Sequence, residues 1–412
     1  MNLSVRRTII LPLALFSFFW CLVFFLKLSI SSYPIVAYPD FSFYHDYAYK
    51  LSTSLSLPVS RLSESLYIGD LRDQWRPSPF HSMLVLLTLV VSGSPFFYHL
   101  LGFVFGLLTL IFQILCIKTL VRNKLVSDSV TYASFLLCLS PSTIVESVQF
   151  SSDIVLSAFL SAAVYLVILI FIHSLPHRRQ VTFILGFLLV LASVIRPNAI
   201  IFVIGLFISW SFCSPRPRNN LTLFLLSVTF LSILLSRLVF SGYPHGGFLY
   251  YFWPNSWLTP GFMLDQLGPI LTLNPFSPNR LLFAQVSPGQ FLVQILIIPF
   301  LSVYKFFNLL GIPSPNFTSA SIVHLVFYLY RLFYSLFVTF PAFFISFLIL
   351  FSKSKIFSLL LSTYFFYLFA QSFFVGGPRY MIGIDFIPIV LSFTVVLFAR
   401  NSFPFAHGPS QN

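Results

Sequence analysis

Charged side chains are scarce in this sequence: Asp, Glu, Lys and Arg together make up 8% of its 412 residues, against about 25% in soluble globular proteins. A water-soluble domain could not cover its surface with so few charges. That shortage excludes a cytosolic enzyme, a nucleic-acid-binding module and a disordered regulator. Cysteine is also rare. The four, Cys21, Cys116, Cys138 and Cys213, stand in apolar runs without metal-ligand spacing, which predicts small buried hydrophobes and no zinc site. The motifs of nucleotide and hydrolase chemistry are missing too: no Walker lysine, no GxSxG, no HExxH, and no GxGxxG after a strand. The eight histidines are scattered, and His81, His99 and His324 read as interfacial residues.

What is abundant is apolar. Hydrophobic residues make up 58% and aromatic residues 19%, with 54 Phe. They fall in long blocks separated by short polar loops, the pattern of a polytopic helical membrane protein. The chain begins MNLSVRR and then runs apolar from about 8 to 30. No small-residue cleavage site follows, so this reads as a retained signal anchor. Further spans are predicted at 96–121, 130–147, 152–173, 181–195, 197–213, 221–240, 322–350, 356–374 and 380–399. The stretch 79–93 is too short to cross, and 289–310 is interrupted by Gln290, Gln294, Pro299 and Lys305. Both are placed as helices on the outer leaflet.

Charge placement supports ten spans. The net charge is +13, and on this map the inner side takes 12 basic residues and one acid, Asp128. Basic residues flanking membrane helices set orientation, so the excess points to topology and not to nucleic acid. The pair of spans in 181–213 is tight, and the break at Arg196-Pro197-Asn198 suits a turn, because proline cannot continue a helix ladder; the alternative, a single kinked helix, would carry Arg216 and Arg218 to the outer side. The sequence thus predicts one domain over 1–412, with room for a polar site in two outer loops, 31–79 and 241–288.

The acids carry the most information. Nine of the ten fall on the outer side: Asp40, Asp46, Glu64, Asp70, Asp73, Glu146, Asp153, Asp265 and Asp385. Acidic residues contribute little to orientation, and an ionisable group near hydrocarbon is costly, so these are candidates for function. In the first loop, Asp40 stands one helical turn before Tyr44 and two before Ala48. It could cap an interfacial helix or remove a proton from an acceptor hydroxyl. Glu146 and Asp153 flank the turn between two spans; Ser151 or Ser152 could start the second helix with Asp153 in its first turn. Of the outer basic residues Arg76, Arg196, Arg280, Lys305, Arg331 and Arg379, one or two would be needed to hold a phosphate leaving group. Asn316-Phe-Thr318 is a sequon of little weight.

In order along the chain come Asp40 with Tyr44 and Ala48, Arg76-Pro77-Ser78-Pro79-Phe80, Ser140-Pro141 ahead of Asp153, Arg196-Pro197, and Arg379-Tyr380 before a last helix containing Pro388. In this order and spacing the chain resembles the GT-C superfamily of integral membrane glycosyltransferases, specifically the bacterial branch related to aminoarabinose transferases and protein O-mannosyltransferases. The likeness covers residues 1–240 and 360–400.

The resemblance implies an all-α bundle of about ten transmembrane helices in the cell membrane, with interfacial helices on its outer face. It implies inverting transfer of a sugar from a polyprenyl-phosphate monosaccharide to a hydroxyl of a lipid, glycan or protein. By carry-over, Asp40 is general base or acceptor-orienting group, with Asp46 as the alternative, since Phe41 stands where many relatives have a second acid. Asp153 lines the same cavity, and Arg379 and Tyr380 lie near the donor phosphate. Tyr44, Arg76, Glu146 and Arg196 complete the expected substrate-binding set. No organic cofactor is implied, and a divalent metal is left open. Two rivals predict different polar layouts: an O-antigen polymerase or ligase relies on basic residues in long outer loops, and a transporter places charges mid-span near broken helices.

Overall fold

The computed structural model describes residues 3–30, 44, 48, 52, 55–56, 79–92, 96–172, 175–196, 198–213, 219–240, 303, 306–307, 309–311, 322–350, 354–374 and 381–393. Among these the regular structure is entirely helical. In chain order the helices are α1 (Leu3–Ile30), α2 (Pro79–Ser92), α3 (Phe96–Arg122), α4 (Ala133–Cys138), α5 (Pro141–Gln149), α6 (Ser152–Ile172), α7 (Leu175–Ile195), α8 (Ala199–Cys213), α9 (Asn219–Phe240), α10 (Ile322–Tyr334), α11 (Phe340–Ile349), α12 (Lys355–Phe374) and α13 (386–393).

Among the described residues, four segments are long and apolar enough to cross a membrane: Ile9–Ser29, Phe96–Arg122, Ser152–Ile172 and Leu325–Ile349. At 1.5 Å per residue, about 20 residues match a hydrocarbon core of about 30 Å. The outer face of the bundle is apolar as well. Phe18, Phe25, Phe183, Phe212 and Phe337 are all exposed, as helices in lipid require. The interior of the bundle is formed mainly by α6, most of whose residues are buried, packed between α3 and α7. Beyond α7 the packing continues through α9 to α8, and α8 lies along α12.

Two glycines allow close approach. A Cβ at Gly102 of α3 would collide with the carbonyl oxygen of Ser147 on α5, and one at Gly106 with the Phe16 ring and the Ser147 Cβ. Small residues at such crossings let membrane helices approach closely. His99 reaches across the same contact, its Nδ1 2.5 Å from the Val148 carbonyl oxygen.

The predicted span 130–147 is not one helix. It divides into a 3-10 turn at Asp128–Tyr132, α4 and α5, with a break at Leu139 and Ser140. Pro141 is the cause: it has no N–H for the ladder. Two tyrosines of α10 bond at the break: the Tyr330 hydroxyl donates to the Leu139 oxygen, and the Tyr334 hydroxyl donates at 3.0 Å to the Leu136 oxygen, which also accepts from the Leu139 N–H. The stretch 181–213 breaks where Pro197 was expected to interrupt it, between Ile195 and Ala199. The stretch 79–93 forms only the 14-residue α2. Of the cysteines, all free, Cys116 and Cys138 are buried, whereas Cys21 is exposed and Cys213 half-buried.

Candidate functional site

The polar residues converge on the corner between α5 and α6. Local sequence builds this corner. Ser140 caps α5 in an extended conformation, its Oγ accepting from the Thr143 N–H at 3.5 Å. The helix stops at Phe150, which takes a left-handed conformation with φ 48° and ψ 54°. The Ser151 N–H then closes on the Glu146 carbonyl at 3.2 Å, the six-to-one bond of a Schellman turn. Glycine usually occupies this position; a bulky residue there is strained and needs outside support. The Phe150 ring supplies it, packing against His81, with ring centroids 4.8 Å apart, and against Tyr98 and Phe105. Ser151 in turn caps α6 through the Ile154 N–H at 3.3 Å. Asp153 therefore sits in the first turn of α6, as its sequence context predicted.

Arg196, at the end of α7, reaches into this corner. Its Nη2 is 3.2 Å from the Asp153 Oδ2, and its Nε donates to the Ser152 Oγ at 2.6 Å. Both charged side chains are buried, at 9% and 1% exposure, so the pair is shielded from water. Ser152 continues the chain of contacts: its hydroxyl lies 2.9 Å from that of Tyr44. The Tyr44 ring stands edge-on to His81, centroids 4.3 Å apart. Tyr44, Ser152, Arg196 and Asp153 thus form one buried polar chain running from the first loop through α6 to the end of α7.

His81 and His99 are core residues here, not interfacial ones: both are almost wholly buried. Burial, and secondarily the Arg196 charge, push the His81 pKa down to about 3, so its ring is neutral at physiological pH. No sequence motif marked Ser152 as a member of the chain or His81 as its neighbour. The clue was that each lies in the first turn of a helix.

Glu146 lies on α5, buried at 9% exposure. Its charge acts on Lys27 at the end of α1 and on Arg331 of α10. Among the described residues no group of three or more His, Cys, Asp or Glu is placed to hold a metal ion. The structure therefore brings Tyr44, Asp153 and Arg196 together directly and puts Glu146 one turn back from the same corner. Asp40, Asp46, Arg76, Arg379 and Tyr380 lie outside the described residues, as do the loop 241–288 and most of 31–79 and 289–310.

No family model matches the sequence, and no curated protein does. Two solved structures are similar in shape. One is the archaeal oligosaccharyltransferase AglB from Archaeoglobus fulgidus, in complex with an inhibitory peptide and a dolichol-phosphate, with a TM-score of 0.45 and 14% identity over 87% of this chain. This chain spans 46% of the length of that protein. The other is ArnT from Cupriavidus metallidurans bound to undecaprenyl phosphate, with a TM-score of 0.44 and 13% identity over 93% of this chain and 77% of that one.

Proposed function

We propose that this chain is a membrane glycosyltransferase. It moves a sugar from a polyprenyl-phosphate monosaccharide to a hydroxyl acceptor on the outer face of the cell membrane, with inversion at the anomeric carbon. The observation that carries this reading is the buried polar chain from Asp153 and Arg196 through Ser152 to Tyr44. Tyr44 is four residues after Asp40 in the sequence. The chain thus anchors to the bundle the same segment of the first loop on which the family pattern places its carboxylate.

In this reaction the Asp40 carboxylate takes the acceptor's hydroxyl proton. The acceptor oxygen attacks the anomeric carbon from the face opposite the phosphate. The bond from that carbon to the phosphate oxygen breaks, and its electron pair leaves with the polyprenyl phosphate. Fixed cations stabilise that departing charge, and Arg76 and Arg379 are the candidates. Asp153 is already committed to Arg196, so its role in this reading is to neutralise and orient the guanidinium that holds Ser152 and Tyr44. Asp46 is the alternative base. Lipid, glycan and protein hydroxyls all fit as acceptors, and a lipid-linked donor arriving from the bilayer requires no nucleotide pocket.

The test is transfer from radiolabelled polyprenyl-phosphate monosaccharides in membranes carrying wild type, Asp40→Asn or Asp46→Asn at matched protein level. Wild-type transfer lost in Asp40→Asn and retained in Asp46→Asn is the expected outcome. Equal transfer by wild type and Asp40→Asn would remove Asp40 from the role of base. No label transferred by wild type from any donor would favour the polymerase or ligase reading.

A further inference from the structure

A second polar centre lies at the N-terminal end of α5, the opposite end from the Asp153 corner, and the reaction above makes no use of it. Arg331 of α10, Tyr364 of α12 and Asp385, immediately before α13, come from widely separated segments and face one cavity, together with Tyr334, Ser335 and the α5 cap Ser140. Ionisable groups inside a membrane bundle are costly and mark function by default. Here both signs are present. The walls described carry one guanidinium and one carboxylate, and no ion pair within 4.0 Å joins Arg331 to Asp385 among the described residues. The Arg331 Nε is buried without a hydrogen-bond partner among those residues. A donor and an acceptor are thus held in place on one cavity without satisfying each other.

The backbone around the cavity departs from regular helix in two further places. Ser335–Thr339 is a π-helical turn between α10 and α11. It precedes Pro341, which cannot donate to the ladder, and single π turns inside α-helices recur at functional sites. Ser335 and Thr339 of this turn both line the cavity. Opposite them, Gly311 has φ +93°, and a Cβ there would strike the Ser335 Oγ. Any larger residue at 311 would fill the space.

We infer that the cavity walled by Arg331, Ser335, Tyr364 and Asp385 is a subsite for a neutral polyhydroxylated group, and on the reading above, for the sugar of the lipid-linked donor. Charge balance selects this ligand. With one guanidinium and one carboxyl among the described residues, the walls show no surplus of cations to hold a phosphate, whereas an adjacent donor and acceptor match the hydroxyls of a sugar. Asp385 accepts from them, Arg331 donates to them, and the tyrosine rings give an apolar face for the ring carbons. This inference rests on the transferase reading and assigns its sugar specificity to residues other than the proposed base.

The test measures binding in lipid nanodiscs with full-length protein. The probes are undecaprenyl phosphate and polyprenyl phosphates carrying radiolabelled glucose, mannose or arabinose. The variants are Asp385→Asn, which retains a helix-capping side chain, Tyr364→Phe and Gly311→Ala, each first checked for wild-type thermal unfolding. The expected result is wild-type binding of at least one glycosylated lipid, weakened about tenfold or more in variants that fold normally, with binding of undecaprenyl phosphate unchanged. Equal weakening for both kinds of lipid would make the cavity a phosphate or polyprenol site and overturn the inference, as would unchanged binding of every glycosylated lipid. In the last two cases the donor reading stands. A wild type that binds none of these lipids overturns that reading and this inference with it.

Discussion

Arg196 and Asp153 are 43 positions apart in sequence and 3.2 Å apart in space, both buried where α6 begins and α7 ends. Removing one partner of a buried ion pair leaves the other uncompensated, at a cost of about 3–5 kcal/mol. Asp153→Asn is therefore expected to lower the thermal unfolding temperature strongly. The double variant Asp153→Asn with Arg196→Gln should recover part of that loss, because it strands no charge. Unfolding of the four proteins in one detergent measures the coupling. Strictly additive losses would mean that the pair contributes nothing as a pair.

Tyr44→Phe removes the hydroxyl next to Ser152 and leaves the Ser152 bond from Arg196 intact. Its stability cost should be about 1 kcal/mol. Its effect on transfer should be larger, because it loosens the segment that carries Asp40. Transfer rate and unfolding temperature, measured on the same preparation, separate the two effects. A stability loss with no change in rate would show that Tyr44 only packs.

Gly102→Ala places a methyl group against the Ser147 carbonyl. Backbone cannot move aside as a side chain can, so α3 and α5 must separate, at about 1–3 kcal/mol. Folded yield after detergent extraction should fall. A fully stable Gly102→Ala protein would contradict the close crossing.

His81 titrates at about 3 in the folded protein because it is buried, with the Arg196 charge adding to the effect; in the unfolded chain it titrates near 6.5. Between those values the unfolded state binds a proton that the folded state refuses. Stability therefore falls as pH drops below about 6.5. In His81→Gln this dependence should be shallower between pH 6.5 and 4, read as unfolding temperature against pH. Identical slopes in the two proteins would place the titration elsewhere.

Much of the frame is legible in the residues. The apolar blocks mark α1, α3, α6 and the 322–350 segment, since length and hydropathy suffice for a helix in lipid. Ser151, Ser152 and Asp153 announce the start of α6 by capping chemistry that is local to three residues. Arg196-Pro197-Asn198 announces its break because proline's missing N–H is a property of the residue itself. Tyr44 and Ala48, one turn apart, were expected on one helix face, and both are helical and buried.

What the residues could not show is which polar groups meet. Pro141 divides 130–147, but the tyrosines of α10 that bond to the carbonyls at the break stand nearly 200 positions later. His81 and His99 look like interfacial histidines until the fold covers them. Asp153 reads equally well as a helix-start carboxylate or a base; only the arrival of Arg196 from α7 commits it to a partner. Arg331 and Asp385 likewise share a cavity only because α10, α12 and α13 converge on α5. Helix positions and caps follow from short-range chemistry, which the sequence states outright. The pairing of buried charges is decided by helix packing, because each such group must find its partner wherever the bundle brings one.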